Sequence, residues 1–322
     1  MTPDYRIEAN GKDITDTVKD RLISLAVLDE AGLRSDTLVL ELDNRGNRVI
    51  LPYAGARIEV WLGYAESGMA SMGSFIADEL RVEGPAETLT IVANAADMTE
   101  SIKEIKERSW HGISLGDLVR TLAMEHGLSP QIHSSLDKIH LEHLDQNESD
   151  LHLLSRLAER YGAMTKAAAG RLLFLPKGKG ATASGTAIPP VQLTAEDLTR
   201  WSMRQVARKV YRSTLAFWQD TERGAKGHAL VGAGHPQRVL TVPAPTSEVA
   251  YTRALAAHRT APQEETTLSL ECSGRFDLMA GTPLDLREIG PGINGMWVLD
   301  QVTHTLNSSG YNIRARARPK AA

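Results

Sequence analysis

The stretch that decides the fold occurs twice in the chain: residues 37–42 read TLVLEL, and residues 267–272 read TLSLEC. In the first copy Leu38, Leu40 and Leu42 recur at every second position, so a strand would place all three on one face. Such alternation is typical of a strand with one buried side, and it predicts β structure in both outer parts of the chain.

Further pairs of segments follow the first pair in the same order. They are 54–55 (AG) with 280–281 (AG), 58–60 (IEV) with 284–286 (LDL), and 75–80 (FIADEL) with 297–302 (WVLDQV). The offset between the copies falls from 230 to 226 to 222, as small changes in loop length would produce. We interpret the series as the duplication of one β module, with two unrelated β domains as the alternative.

Short apolar and β-branched runs, separated by turn residues, dominate the first and last thirds of the sequence. The predicted strands are 5–9, 22–28, 37–42, 57–62, 75–82, 87–92, 171–175, 208–218, 238–242, 266–272, 283–286, 296–306 and 311–317. Helical periodicity predicts one helix between Ser114 and Gly127, a second from about 147 to 162, and a third over roughly 248–259. The fold class is therefore mainly β with an α+β insertion, and many short strands favour a barrel or a sandwich.

The composition of the 322 residues excludes several classes of protein. Apolar residues make up 42% and charged residues 24%, as in ordinary globular proteins, so neither wholesale disorder nor a collagen-like repeat is expected. No apolar run approaches the roughly 18 residues of a membrane helix, and the first residues lack a secretory signal pattern. A single cysteine excludes an internal disulfide, and a pI near 6.2 argues against general nucleic-acid binding. We therefore expect a soluble intracellular protein of two or three domains, without membrane insertion.

The net charge of −4 conceals a gradient along the chain. Residues 1–95 hold 9 Lys+Arg and 16 Asp+Glu, residues 96–190 hold 11 and 12, and residues 191–322 hold 16 and 12. One interpretation is that solvated faces drift in charge. The other is that an acidic first β module meets a basic second one, within the chain or between copies of it.

Histidine is concentrated in the middle of the chain, which raises the question of a metal site. Six of the ten histidines lie there: His111, His126, His133, His140, His143 and His152. A helix would bring His140 and His143 together, but residues 138–144 (KIHLEHL) fit an alternating strand equally well, and a strand would turn the two apart. No H-E-x-x-H motif and no nearby cysteine accompany them, so no metal site is predicted.

Other possible chemical motifs in the sequence are incomplete. Residues 145–150 (DQNESD) resemble the start of a calcium loop, but its sixth position lacks the required Gly, and helix capping explains these residues better. The glycine-rich stretches 178–180 (GKG) and 232–234 (GAG) lack the rest of a nucleotide-binding fingerprint. Cys272 shares an inward face with leucines and is expected in the core. We therefore predict no catalytic, cofactor-binding or metal-binding residues, and no enzymatic activity.

Two blocks of the sequence resemble a known family. Residues 118–175 contain EHGL, then DQNESDLHLLSRLAERYGA, then RLLFLP. Residues 278–315 contain a glycine-rich turn before Gly295-Met296-Trp297, then VTHTL at 302–306 and the pair Gly310-Tyr311. Both blocks resemble the phage late control protein D family, the baseplate hub of contractile-tailed bacteriophages. The resemblance spans essentially the whole chain.

The resemblance implies an architecture and a function. Residues 1–95 and 191–322 would form two related β-barrel domains of the tail-tube type, and residues 96–190 an inserted α+β domain that ends in a flexible linker. Three copies would form a homotrimeric, pseudo-sixfold ring of barrels around a channel. This ring would join the tail tube to the trimeric spike in the virion baseplate, after assembly in the host cytoplasm. Its partners would be the tube protein, the spike protein and other baseplate proteins, with DNA only in transit.

Two alternatives stay open beside the hub interpretation. A receptor- or carbohydrate-binding tail-tip protein would show clustered exposed aromatics, whereas the tryptophans at 61, 110, 201, 218 and 297 are scattered. A metal-dependent enzyme would have to assemble its site from the histidine-rich middle segment. The resemblance brings no catalytic residues with it, which favours a structural protein.

Overall fold

The computed structural model describes residues 1–32, 35–46, 55–85, 87–96, 100–168, 170–176, 188–206, 211–220, 224–260 and 265–320. Across these residues no helix is long and apolar enough to cross a membrane. The chain divides into two compact units. Unit 1 contains Met1–Met98, Ile188–Met203 and Leu268–Lys320, and unit 2 contains Thr99–Ala187 and Arg204–Thr267.

Strands account for most of the described residues. They are β1 Pro3–Ala9, β2 Lys12–Asp13, β3 Leu22–Glu30, β4 Thr37–Asp43, β5 Arg57–Tyr64, β6 Gly68–Glu83, β7 Thr88–Ala95, β8 Ile105–Ser114, β9 Ser129–Ile132, β10 His140–Ser149, β11 Ala163–Ala168, β12 Arg171–Pro176, β13 Val191–Leu193, β14 Leu198–Val206, β15 Ser213–Asp220, β16 Ala225–Gly232, β17 Gln237–Ala244, β18 Glu265–Ser273, β19 Pro283–Leu286, β20 Gly295–Asn307 and β21 Gly310–Pro319. The α-helices are α1 Thr15–Val18, α2 Leu115–Glu125, α3 Ser134–Asp137, α4 Asp150–Arg160 and α5 Ser247–Thr260.

Each strand predicted in the outer thirds corresponds to a strand of the structure, although the one predicted over 208–218 begins only at Ser213 among the described residues. The helix predicted after Ser114 is confirmed as α2, and its N-terminus is capped by the Ser114 hydroxyl, which accepts the N–H of Asp117 at 3.0 Å. Helix α4 begins at Asp150, three residues later than predicted, because Ser149 caps it and the preceding residues continue β10. Of the predicted linker, residues 177–187 lie outside the described residues.

Thirteen strands of the described chain form one large sheet in unit 1. Its main path runs β14-β18-β21-β20-β3-β4-β7-β6-β5-β1-β2, with β19 pairing both β20 and β13 beside it. The path contains the same strand order twice: β3-β4-β7-β6-β5-β1 in the first part of the chain and β14-β18-β21-β20-β19-β13 in the last. One difference is that β1 runs antiparallel to β5, whereas β13 runs parallel to β19. We call these two sets the first and second strand modules.

The two strand modules share an irregularity at the same aligned residue. The register between β6 and β7 shifts between Ala77 and Glu79, so Asp78 is the extra residue of a β-bulge. The register between β20 and β21 shifts between Leu299 and Gln301, and Asp300 is the extra residue there. Asp78 and Asp300 are equivalent in the sequence repeat, which therefore extends from residue pattern to backbone geometry.

The turn before β5 is also repeated before β19. Gly55 N–H donates to the Ala77 carbonyl at 2.8 Å, and Gly281 N–H donates to the Leu299 carbonyl at 2.7 Å. Both glycines have positive φ, +94° and +90°, a backbone conformation that residues other than glycine rarely adopt. The repeated Gly therefore has a conformational cause in each module.

Each strand module encloses its own group of buried side chains. Leu38, Leu40 and Leu42 lie in the first group, as the alternation predicted, and Leu268 and Leu270 lie in the second. The second copy ends in a cysteine whose side chain is likewise buried beside these leucines. Burial of a leucine side chain contributes about 1.5–3 kcal/mol, so these inward rows account for much of the stability of the sheet.

Unit 2 contains three small sheets and the longer helices. Strand β8 pairs with β10, β12 lies between β11 and β9, and β15 lies between β16 and β17. Helices α2 and α4 bury the apolar sides that the sequence predicted, including Leu118, Leu122, Leu154 and Leu157. Helix α5 packs small side chains, among them Ala250, against the sheet of β15.

The basic part of the sequence lies in unit 2. Residues 204–267 hold 9 Lys+Arg and 5 Asp+Glu, a net charge of +4, whereas residues 188–203 and 268–320 together hold 7 of each. Residues 1–98 hold 9 Lys+Arg and 17 Asp+Glu, a net charge of −8. The net positive charge of the last third therefore belongs to a segment inserted into the second strand module, whose own segments in unit 1 carry no net charge.

Substitution of the repeated glycine tests this account of the turn. We expect Gly281→Ala to lower the free energy of unfolding by about 1–2 kcal/mol, because the added Cβ is strained at positive φ. Gly290→Ala is the control, since Gly290 does not have positive φ and an added Cβ would meet no atom within 4 Å. Urea titration followed by circular dichroism measures both, and equal midpoints for the two variants would contradict the prediction.

Candidate functional site

The two strand modules are joined through the backbone of β20 and β3. These strands pair antiparallel over seven positions, from Gln301 opposite Glu30 to Asn307 opposite Ser24. Beyond the paired region, Ala31 N–H donates to the carbonyl of Asp300 at 2.7 Å. The end of β3 therefore contacts the bulge residue of the second strand module.

A buried carboxylate adds a second contact between the strand modules. Asp29 is 4% exposed, and its Oδ2 accepts the backbone N–H of Ala280 at 2.7 Å. Ala280 belongs to the turn that is repeated between the modules. The bulge and the turn, which are the two repeated irregularities of the second strand module, are thus the points where the first module is attached.

A group of aromatic side chains lies beside this junction. His304 is fully buried, and its Nδ1 lies 2.8 Å from the Tyr311 hydroxyl. Tyr64 packs its ring 5.7 Å from that of Tyr311 and donates its hydroxyl to the Gly274 carbonyl at 2.9 Å. Burial lowers the pKa of the His304 imidazole and raises the pKa of the Tyr311 hydroxyl, so both are held in their neutral forms.

Close packing against the ring of Tyr311 explains why residue 274 is a glycine. A Cβ added at Gly274 would lie 2.0 Å from Cδ1 of Tyr311, which no side chain could tolerate without movement of the ring. The histidine of VTHTL and the tyrosine after Gly310 were singled out by the sequence resemblance. Both have a structural role here, since they fill the junction between the strand modules.

Unit 2 contains a buried polar network centred on Asp150, the first residue of α4. Its Oδ2 accepts from Lys106 Nζ at 2.6 Å and lies 2.8 Å from His126 Nε2. Its Oδ1 accepts from Gln146 Nε2 at 2.6 Å and also from the guanidinium of Arg108. Two strands, one helix end and one loop therefore converge on a single carboxylate.

The charges of this network balance. Glu125 accepts from Lys106 at 2.9 Å and from Arg108 at 2.8 Å, so two carboxylates face two cations. Burial acts to raise the pKa of Asp150, but the surrounding donors, Lys106 first among them, outweigh it and lower the pKa to about 2. The carboxylate is therefore ionised at neutral pH.

Two kinds of chemistry could be suspected in the network, and its geometry favours neither. Ligand atoms of Glu125, His126 and Asp150 lie within 4.8 Å of one another, as a metal site would require. The same carboxylates already accept from Lys106 and Arg108, and a metal would have to displace both cations. The arrangement ties the elements of unit 2 together.

Ser101, His126 and Asp150 are hydrogen-bonded in the order of a Ser-His-Asp catalytic triad. Ser101 Oγ lies 2.8 Å from His126 Nδ1, on the opposite side of the ring from Asp150. The imidazole side chain is 1% exposed, and the negative charge of Asp150 is compensated by its cations. With its ring buried and its Nε2 against Asp150, His126 links Ser101 to the network and is not open to a substrate.

The structure separates the histidines that the sequence placed in one group. His140 and His143 both lie on β10, so the strand interpretation is confirmed and the two do not share a site. His143 instead lies opposite His111 on β8, with their Nδ1 atoms 3.1 Å apart. His133 caps α3, with Nδ1 accepting the N–H of Ser135.

The other sequence candidates have structural positions. Residues 145–149 continue β10 and form no calcium loop, while Gln146 and Asp150 face the network. Burial raises the pKa of the Cys272 thiol to about 11, consistent with an unreactive core residue. The stretch 232–234 begins the turn after β16, and 178–180 lies outside the described residues. Sequence reasoning missed Lys106, because its partners are distant in the chain.

The tryptophans do not gather into one exposed platform. Arg6 stacks 5.0 Å from the ring centroid of Trp61, and Arg108 stacks 4.7 Å from that of Trp110. Trp297 is buried and donates its Nε1–H to the Ile293 carbonyl at 2.7 Å. These three rings serve packing and cation contacts at separate places.

Comparison with known sequences points to one family. Residues 35–310 match the family described as the phage tail baseplate hub (GPD). Two relatives, each named "Probable baseplate hub protein", come from Escherichia phage 186 and Escherichia phage P2 and are 32% and 31% identical to the chain. Each match covers 97% of this chain, with 91% and 92% of the respective relatives.

Solved structures share the fold at low sequence identity. The 43 kDa tail protein of prophage MuSo2 from Shewanella oneidensis is 12% identical with a TM-score of 0.73, and 99% of each chain is covered. A tail protein from Neisseria meningitidis is 13% identical with a TM-score of 0.71, covering 98% of this chain and 96% of that one. An Escherichia coli component of the type VI secretion system is 10% identical with a TM-score of 0.59, covering 98% and 77%.

Removal of the central charge of the network tests its role. We expect Asp150→Asn to lower the free energy of unfolding by about 2–3 kcal/mol, because Lys106 and Arg108 would keep only one carboxylate between them. The loss stays below that of a fully buried pair because the two cations are 27% and 26% exposed. Glu142→Gln on β10, the strand that leads into α4, is the control; its pair with His140 is exposed and contributes less than about 1 kcal/mol. Equal urea midpoints for the two variants would contradict this role.

The low pKa of Asp150 also predicts a pH dependence. Its folded value of about 2 lies below the ordinary 3.8, so the stabilisation is complete above pH 3.8 and is lost as pH falls towards 2. The stability difference between the wild type and Asp150→Asn should therefore be constant from about pH 7 to 5 and shrink below about pH 4. Urea titrations of both proteins across this range measure it, and a difference that grows in acid would disprove the assignment.

Proposed function

Because the chain belongs to the phage tail baseplate hub family, we propose that three copies form a pseudo-sixfold ring that joins the tail tube to the trimeric spike and surrounds the channel. The protein is a structural component of the virion tail baseplate. In this proposal it assembles in the host cytoplasm before the particle is complete. Its task is to match two symmetries, and that task requires no catalytic group.

The observation that carries the proposal is the repeated strand order within one chain. A ring of three identical chains has threefold symmetry, but each chain contributes two strand modules of the same order. Six similar modules can face a sixfold partner on one side, while the threefold arrangement of whole chains faces a trimer on the other. A single module per chain could not present both symmetries.

The domain division that we propose keeps the sequence boundaries. Residues 1–95 and 191–322 form two tube-type β-barrel domains, and residues 96–190 form the inserted domain. The described strands support related outer domains through their common order, bulge and turn. Segment 204–267 is an excursion from the second barrel that packs with the insertion in unit 2.

The negative net charge of unit 1 supports a channel through which DNA passes without binding to the wall. Unit 1 carries a net charge of −8, whereas proteins that bind nucleic acid present clusters of Lys and Arg. We propose that the ring formed by unit 1 repels the phosphate backbone weakly along its length. The tube protein, the spike protein and other baseplate proteins would be the lasting partners.

Mass and symmetry together test the proposal. Light scattering over a concentration series should give three times the chain mass of 35.1 kDa for the chain alone, and that mass plus the mass of the spike when purified spike protein is added. Electron microscopy of the same sample should show a threefold ring with six similar β lobes around a channel. A monomer under all conditions, or a closed dimer, would overturn the ring, and a trimer without six lobes would overturn the barrel assignment.

A further inference from the structure

Two exposed histidines face each other across β8 and β10. His111 and His143 are directly opposite in the register of the two strands, and their ring centroids are 4.6 Å apart. The two Nδ1 atoms lie 3.1 Å apart. At that separation one Nδ1 carries the proton and the other accepts it, since two protonated nitrogens would repel each other.

The neighbouring carboxylate selects which nitrogen accepts. Asp145 Oδ2 lies 3.1 Å from His143 Nε2, and its Oδ1 accepts the Ser109 hydroxyl at 2.6 Å. Asp145 therefore offers one oxygen to each of these neighbours, Oδ1 to Ser109 and Oδ2 to His143. A carboxylate accepts the Nε2–H of His143, so Nδ1 of that ring carries the lone pair and accepts from His111; this is the tautomer that a metal ligand needs.

From this geometry we propose that His111 and His143 form a site for one divalent transition-metal ion of the Zn²⁺ or Ni²⁺ type. Each imidazole would supply Nδ1, and water would fill the other positions. With metal–nitrogen bonds of about 2.0–2.1 Å, nitrogens 3.1 Å apart subtend an angle of about 95–100° at the metal. This angle lies between the octahedral and tetrahedral values, so small rotations of two exposed rings suit either geometry.

The surroundings of the pair favour a cation. Asp145 supplies one negative charge next to the site and orients His143 as a positioning residue. The buried network around Asp150 differs, because its carboxylates already accept from Lys106 and Arg108. The histidine pair is also half-exposed, so an ion from solution can reach it without unfolding of the strands.

Proton balance in the binding step is simple. The proton shared between the two Nδ1 atoms leaves His111 Nδ1 as the metal arrives, and water returns a proton to Nε2 of the same ring. The step is therefore balanced, because the proton lost from Nδ1 of His111 is replaced by one at Nε2 of the same ring. The bound ion would cross-link β8 to β10 on the exposed surface of unit 2.

Calorimetric titration of the full-length chain without an affinity tag, using ZnCl₂ and separately NiCl₂, tests the site. We expect one saturable site in the wild type, and a loss of affinity of at least tenfold in His111→Ala and in His143→Ala. Asp145→Asn should weaken binding by roughly tenfold, because it removes the acceptor that orients His143. His140→Ala is the matched control. His140 is an exposed histidine on the same strand as His143 and is paired with Glu142, so this variant should bind the ion with the affinity of the wild type.

Three results would overturn the site. The first is the absence of saturable binding in the wild type. The second is a loss in His140→Ala equal to that in His143→Ala, which would mean that scattered surface histidines bind the ion. Circular dichroism of each variant keeps unfolding distinct from loss of a ligand, and binding by a folded His111→Ala at wild-type affinity would also contradict the pair.

Discussion

The backbone ladder between β20 and β3 is the interaction on which the rest of unit 1 depends. It turns two strand modules, far apart in the chain, into one continuous sheet. Buried backbone groups must be paired, and here the edge strand of one module pairs with a central strand of the other. The bulge at Asp300 and the turn at Gly281 position the carbonyl and N–H groups that receive the first module, so these repeated irregularities became contact points.

Unit 2 is organised by a different constraint, the burial of a charge. Asp150 has no exposed surface, and a carboxylate there is tolerable only if several donors compensate for the lost water. Lys106, Arg108 and Gln146 meet this requirement and connect β8, β10 and α4 in doing so. Gln146 and Asp150, which lie in the DQNESD stretch that carries the sequence resemblance, are thus part of a structural tie.

Much of the architecture was accessible from the sequence because it depends on local patterns. Alternating leucines predicted the inward faces of β4 and β18, and Ser114 predicted the start of α2, since pleat direction and helix capping are set within a few residues. Strand β8 carried no such pattern and β10 only an ambiguous one over 138–144, and their pairing became visible only in the structure. The location of the basic residues is a related case, because chain order does not reveal that residues 204–267 belong to unit 2.

The sequence by itself determined the duplication, the mainly β class and the family, because each is carried by residue identity and order along the chain. Tertiary structure decided which residues meet. It placed His111 opposite His143 instead of His140 beside His143, and it gathered Lys106, Glu125 and Asp150 around one buried charge. The physical reason is that strand register and burial bring together groups separated by tens of residues, and no local periodicity encodes those distances.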